Sequence, residues 1–109
     1  MQANSFGKVA VPTPGTPVRV STNTDLRAAR MRFAVVIGET GRVFLGVAGM
    51  NKANGAGVVK EFWPTGPGGG IADAFEVWAV DERHLLAPAD YYVDANNAGE
   101  ALIVAYWGR

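Results

Sequence analysis

The sequence predicts an all-β protein: a single antiparallel β-sandwich or jelly roll of about eight short strands. Three observations lead there. Apolar, β-branched and aromatic residues come in short runs, and clusters of Gly, Pro, Asn and Asp break these runs roughly every 8–12 residues. No stretch carries the apolar spacing of a helix of useful length. Leu86 to Trp107 shows the pattern most clearly. Tyr91, Tyr92 and Val93 form a strand, Asn96 to Gly99 a hairpin turn, and Ala101 to Trp107 a return strand. That last run is apolar at both alternations, as expected inside a packed sandwich.

Along the chain, Met1 to Ser5 reads as a loose arm. Phe6 to Val11 alternates as a strand and stops at Pro12, Pro14, Gly15 and Pro17, since proline cannot donate to a ladder. Val18 and Val20 flank Arg19 in a second short strand, and Ser21 to Asp25 is turn-like. Leu26 to Arg32 leads into a strand centred on Phe33 to Ile37. Glu39, Thr40 and Gly41 make a hairpin turn into Arg42 to Ala48. Met50 to Gly57 is a loop, Val58 to Trp63 a strand, and Pro64 to Gly70 a Gly/Pro-rich connector. Phe75 to Val80 is a further strand, closed by the polar turn Asp81-Glu82-Arg83. The predicted core includes Val35, Ile37, Val43, Leu45, Val47, Val77, Leu102 and Val104.

With 109 residues the chain makes one domain, 1–109, with a flexible arm over about 1–5 and the connector at 64–70. Charged residues are 18% against the roughly 25% usual in soluble domains, while apolar residues reach 49%. Such a composition points to apolar surface buried against another subunit, hence self-association. Without cysteine there is neither a disulfide framework nor a thiolate zinc site. No apolar run spans a bilayer and no secretory signal is visible, so no membrane partner is expected. The formal net charge of +0 argues against nucleic acid as a partner.

The charges are unevenly distributed. Lys8, Arg19, Arg27, Arg30, Arg32, Arg42, Lys52 and Lys60 stand in residues 1–60 against Asp25 and Glu39 alone. Residues 61–109 reverse this balance. Either the halves interleave and neutralise each other, or one copy's basic face meets another's acidic face.

Catalytic chemistry finds no support. His84 is the single histidine, and neither Ser5 nor Ser21 sits in a nucleophile elbow. Asp90, Asp94, Asn96 and Glu100 do not follow a calcium-loop spacing. Gly66 to Gly70 lacks the Lys-Ser or Lys-Thr of a phosphate loop. No cofactor or metal is expected, and the chain is read as a non-enzyme. Trp63, Trp78, Trp107, Tyr91, Tyr92 and Tyr106 offer either core and interface anchors or a sugar-stacking platform; their apolar strands favour the former.

Three segments carry a resemblance: V-P-T-P-G-T-P-V-R-V-S at Val11 to Ser21, G-R-V-F-L-G-V at Gly41 to Val47, and L-A-P-A-D-Y-Y-V-D-A-N-N-A-G-E-A-L-I-V-A-Y at Leu86 to Tyr106. They resemble small structural proteins of tailed bacteriophages, especially the β-sandwich or jelly-roll proteins that decorate or cement heads. Those share an early Pro/Thr strand pair, a central G-x-V-x-x-G hairpin and a late Y-V-D-A…G-E hairpin. The resemblance implies a capsid decoration protein on the virion surface, assembled in the host cytoplasm. It would stabilise the head by binding the major capsid protein, with self-association as dimer or trimer and no active-site residue. The alternative is a carbohydrate-binding or host-attachment module of a tail or fibre. Under the decoration reading the expected protein-interface residues are Phe6, Trp63, Pro64, Gly68 and Tyr92, drawn from the arm, the connector and the aromatics.

Overall fold

Eight strands form among residues 3–36, 40–64 and 73–108, the part of the chain that the computed structural model describes. They are β1 (Ala3–Ala10), β2 (Val18–Arg19), β3 (Arg30–Val35), β4 (Val43–Asn51), β5 (Ala56–Phe62), β6 (Ala74–Trp78), β7 (Tyr91–Ala95) and β8 (Ala101–Trp107). The helical content among these residues is one 3-10 turn, Pro88–Asp90. Two four-stranded sheets result, ordered β1-β8-β3-β6 and β2-β7-β4-β5, and every described pairing is antiparallel. The predicted β-sandwich is the observed architecture.

The pairing is nested: β1 lies against β8, β2 against β7, β3 against β6 and β4 against β5. The contacts of β8 with β3 and of β7 with β4 complete the sheets. Among the described strands, only β4 and β5 are successive in one sheet; every other pair of successive strands lies in opposite sheets.

This topology corrects two expectations. The segments around Thr40–Gly41 and Asn96–Gly99 are not hairpin turns, because β3 and β4, and likewise β7 and β8, lie in different sheets. Asn and Gly report a tight reversal, here with Gly99 at φ 83°. A reversal is equally needed whether the chain pairs with the strand it has left or arches to the other layer. The true hairpin sits where a plain loop was expected, at Asn51 to Ala56. There Gly55 N–H donates to Asn51 O, and Asn54 Oδ1 accepts from Ala56 N–H.

The arm expected over residues 1–5 is also corrected from Ala3 onward. Ala3, Asn4 and Ser5 pair with Trp107, Tyr106 and Ala105, so β1 is an edge strand of its own sheet. Its weak alternation hid this, because an edge strand at the rim buries little: Val9 is its one buried residue. A bulge at Gly7, φ 68°, shifts the register midway.

Between the sheets lies one core. Met31, Phe33, Leu102 and Val104 come from one layer and Val43, Leu45, Phe62 and Val93 from the other, all fully buried. Val35, Val43, Leu45, Leu102 and Val104 are core residues as expected, whereas Val77 is half-buried against the cluster and Ile37 lies outside the described residues. Val47 is 40% exposed. It has the inward alternation of Val43 and Leu45 but occupies the last rung of the β4–β7 ladder, opposite Tyr91. The tryptophans are not core either: Trp63 and Trp78 are each 59% exposed and Trp107 is half-buried.

Candidate functional site

The two sheets differ in their outer faces. In β2-β7-β4-β5, Phe44 and Asp94 face each other with the outward alternation, yet they are only 6% and 1% exposed. The Asp94 carboxylate accepts Gly15 N–H at 3.0 Å and Ala95 N–H at 2.8 Å, which ties the proline-rich segment after β1 to this layer. Proline cannot join a ladder, so the segment is held by a side chain instead.

On β1-β8-β3-β6 the outward residues other than Ala34 and Ala101 are half-buried or exposed. The rungs put Ile103 and Trp107 of β8, Arg30 and Arg32 of β3, and Glu76 and Trp78 of β6 on the side away from Phe33 and Leu102. Lys8 of β1 joins them opposite Ile103. Trp107, Arg30 and Trp78 form one rung of three strands. Consequently the Arg30 guanidinium stands 4.0 Å from the Trp107 ring centre and 4.6 Å from that of Trp78. Cation–π attraction favours this stacked arrangement. Arg30 also ion-pairs with Glu76, and Arg32 Nε stands 3.9 Å from the same carboxylate. The hydrogen bond from Arg30 holds Glu76 below the ordinary glutamate value of 4.5.

The second sheet carries a smaller version of this cluster. Arg42 lies 3.6 Å from the Trp63 ring centre and ion-pairs with Glu61. Thus each tryptophan of the chain meets an arginine. The ion pairs Arg30–Glu76, Arg32–Glu76, Arg42–Glu61 and Lys60–Asp73 each join a cation from residues 1–60 to an acid from 61–109. The halves therefore interleave, as one of the two charge readings requires.

The other polar residues singled out from the sequence have structural partners. Glu100 accepts from the backbone N–H groups of Thr40 at 2.7 Å and Gly41 at 3.0 Å, linking two of the inter-sheet arches. Asp94 and Glu100 thus spend their oxygens on backbone donors, and among the described residues no cluster of three His, Cys, Asp or Glu could hold a metal ion. His84 is exposed in a turn, its Nδ1 2.8 Å from Asp81 Oδ1. Burial raises the Tyr91 phenol, and nearby Asp90 adds to the shift.

The expected interface residues do not form one patch. Phe6 stacks on Tyr106 with ring centres 4.8 Å apart and is half-buried against the core. Trp63 is exposed and Pro64 beside it is half-buried. Tyr92 is half-buried, with Arg19 5.9 Å from its ring centre. Gly68 lies outside the described residues. The sequence reading missed the Trp78–Arg30–Trp107 rung. The signal for it was outward alternation in Arg30-Met-Arg32 and Glu76-Val-Trp78, but only the strand order brings these segments together. No family model, curated protein or solved structure matches this chain.

Proposed function

We propose that this chain is a virion structural protein, a capsid decoration protein that stabilises a phage head by binding its major capsid protein. The observation that carries this reading is the outer face of β1-β8-β3-β6, which leaves Trp78 and Ile103 exposed and Trp107 half-buried around Arg30. Outward aromatics and arginine on a rigid sheet are the composition of a protein interface. The nested pairing of β1 to β8 around the β4–β5 hairpin further supports a jelly roll, an architecture common among capsid proteins.

A sugar-binding platform is less well supported. Stacking a sugar requires open ring faces side by side, whereas Arg30 stands between Trp78 and Trp107, and Arg42 lies over Trp63. The test is cosedimentation of the purified protein with expanded heads of the tailed phage that encodes it. Saturable binding at a fixed number of copies per capsid subunit is the expected result. A protein left wholly in the supernatant overturns the reading.

A further inference from the structure

We infer that the outer face of the β1-β8-β3-β6 sheet docks an acidic, partly apolar surface of a different protein. Naming that partner as the major capsid protein rests on the reading above, whereas the face and the chemistry of its partner are drawn from the structure. Strand β8 is an interior strand of its sheet and is apolar on both sides. Its inward side chains Leu102 and Val104 are fully covered by the core, while Ile103 remains 39% exposed. In the other layer the outward Phe44 and Asp94 are buried, and Gly15 is tied there through Asp94.

Charge selects the occupant. The face carries Lys8, Arg30 and Arg32 against Glu76, and Glu76 is shared by both arginines. Two copies placed face to face across a two-fold axis would oppose these cations and desolvate them together, which disfavours a second copy. An acidic partner instead pairs with Lys8 on the edge strand β1 and Arg32 on the interior strand β3, and packs apolar side chains onto Trp78, Trp107 and Ile103. The Trp78–Arg30–Trp107 stack sets its rings before binding, so little side-chain entropy is lost on docking.

The experiment compares Trp78→Ser and Arg32→Glu with Trp63→Ser, a matched control in which an equally exposed, arginine-stacked tryptophan is removed beside the other sheet. Binding is measured to expanded heads and to an immobilised peptide of alternating Asp and Leu, with circular dichroism confirming each fold. Arg32→Glu alters an exposed side chain and guards against loss of fold in Trp78→Ser. Both face variants should weaken binding about tenfold or more while Trp63→Ser binds like wild type. Added salt should weaken wild-type binding. Heads bound equally by all variants would overturn the face and leave the decoration reading standing. Peptide binding lost only in the face variants, without head binding, would keep the face and overturn the capsid partner. Binding to neither target, or a wild-type dimer in ultracentrifugation that Arg32→Glu dissociates, would overturn the inference itself.

Discussion

Glu100 holds the backbone of Gly41 from 59 residues away in sequence, its Oε1 accepting the Gly41 N–H at 3.0 Å. The arch leaving β7 thereby fixes the arch entering β4. A Cβ on Gly41 would stand 2.5 Å from Asn97 Nδ2 and 2.6 Å from that carboxylate oxygen, so a side chain here would have to push both groups aside. Glu100→Ala removes a charged acceptor from two backbone donors and should cost about 1–3 kcal/mol, measured by urea unfolding. Glu100→Gln, which keeps the shape but not the charge, should cost less. Equal stability of all three proteins would refute the clamp.

The β4–β5 hairpin depends on close backbone approach. A Cβ at Gly46 would meet Gly57 O at 2.6 Å and Met50 Sδ at 2.8 Å, and backbone cannot swing aside. Gly46→Ala should destabilise by about 1–3 kcal/mol. At Gly7 the φ is 68° but nothing lies within 4 Å, so Gly7→Ala should cost only the backbone strain, about 1 kcal/mol. Thermal melts of the pair separate collision from conformation.

Leu45 and Val47 share one alternation in β4 but not one environment. Leu45→Ala should lose about 2–5 kcal/mol, because it leaves a cavity between the sheets. Val47→Ala, at a position 40% exposed, should lose about 1 kcal/mol or less. Comparable losses would mean that the core extends past the last rung of the β4–β7 ladder.

Glu76 gives the outer face a pH dependence of defined sign. Its folded-state pKa lies below 4.5 because Arg30 hydrogen-bonds the charged form. A depressed acid contributes stability that is present above the unfolded value and is lost as pH falls through the folded value. Carboxyl NMR titration should place Glu76 below 4.5 in wild type and return it toward 4.5 in Arg30→Gln. An unchanged midpoint in the variant would show that the ion pair does not control it.

Much of the fold was legible in the residues, and the reason is local. Strand runs and their breaks follow from side-chain shape and backbone freedom, so Tyr91 to Val93 and Ala101 to Trp107 could be marked as strands. Partner choice could not be read in the same way. Asn97 and Gly99 turn the chain whether β8 returns to β7 or arches to β1 and β3, and only the collective packing decides. The same limit hid the outer face. Trp78 and Trp107 sit in apolar strands and look like core until the order β8-β3-β6 sets Arg30 between them. Phe6 shows the converse: next to the expected arm it looked available for an interface, yet it stacks on Tyr106 and is half-buried.

Nested pairing also fixes when each part of the molecule can come into being. Strand β1 is made before every other described strand yet cannot pair until β8, the last of them, has been made. The β4–β5 hairpin alone can form from neighbouring residues, while each pair outside it must close a longer loop than the one before. Assembly from that hairpin would proceed outward like a zip with both tails free, bringing the two ends of the described chain together, Ala3 beside Trp107. Slow folding and the adjacency of the first and last described strands are thus one consequence of the same nested order.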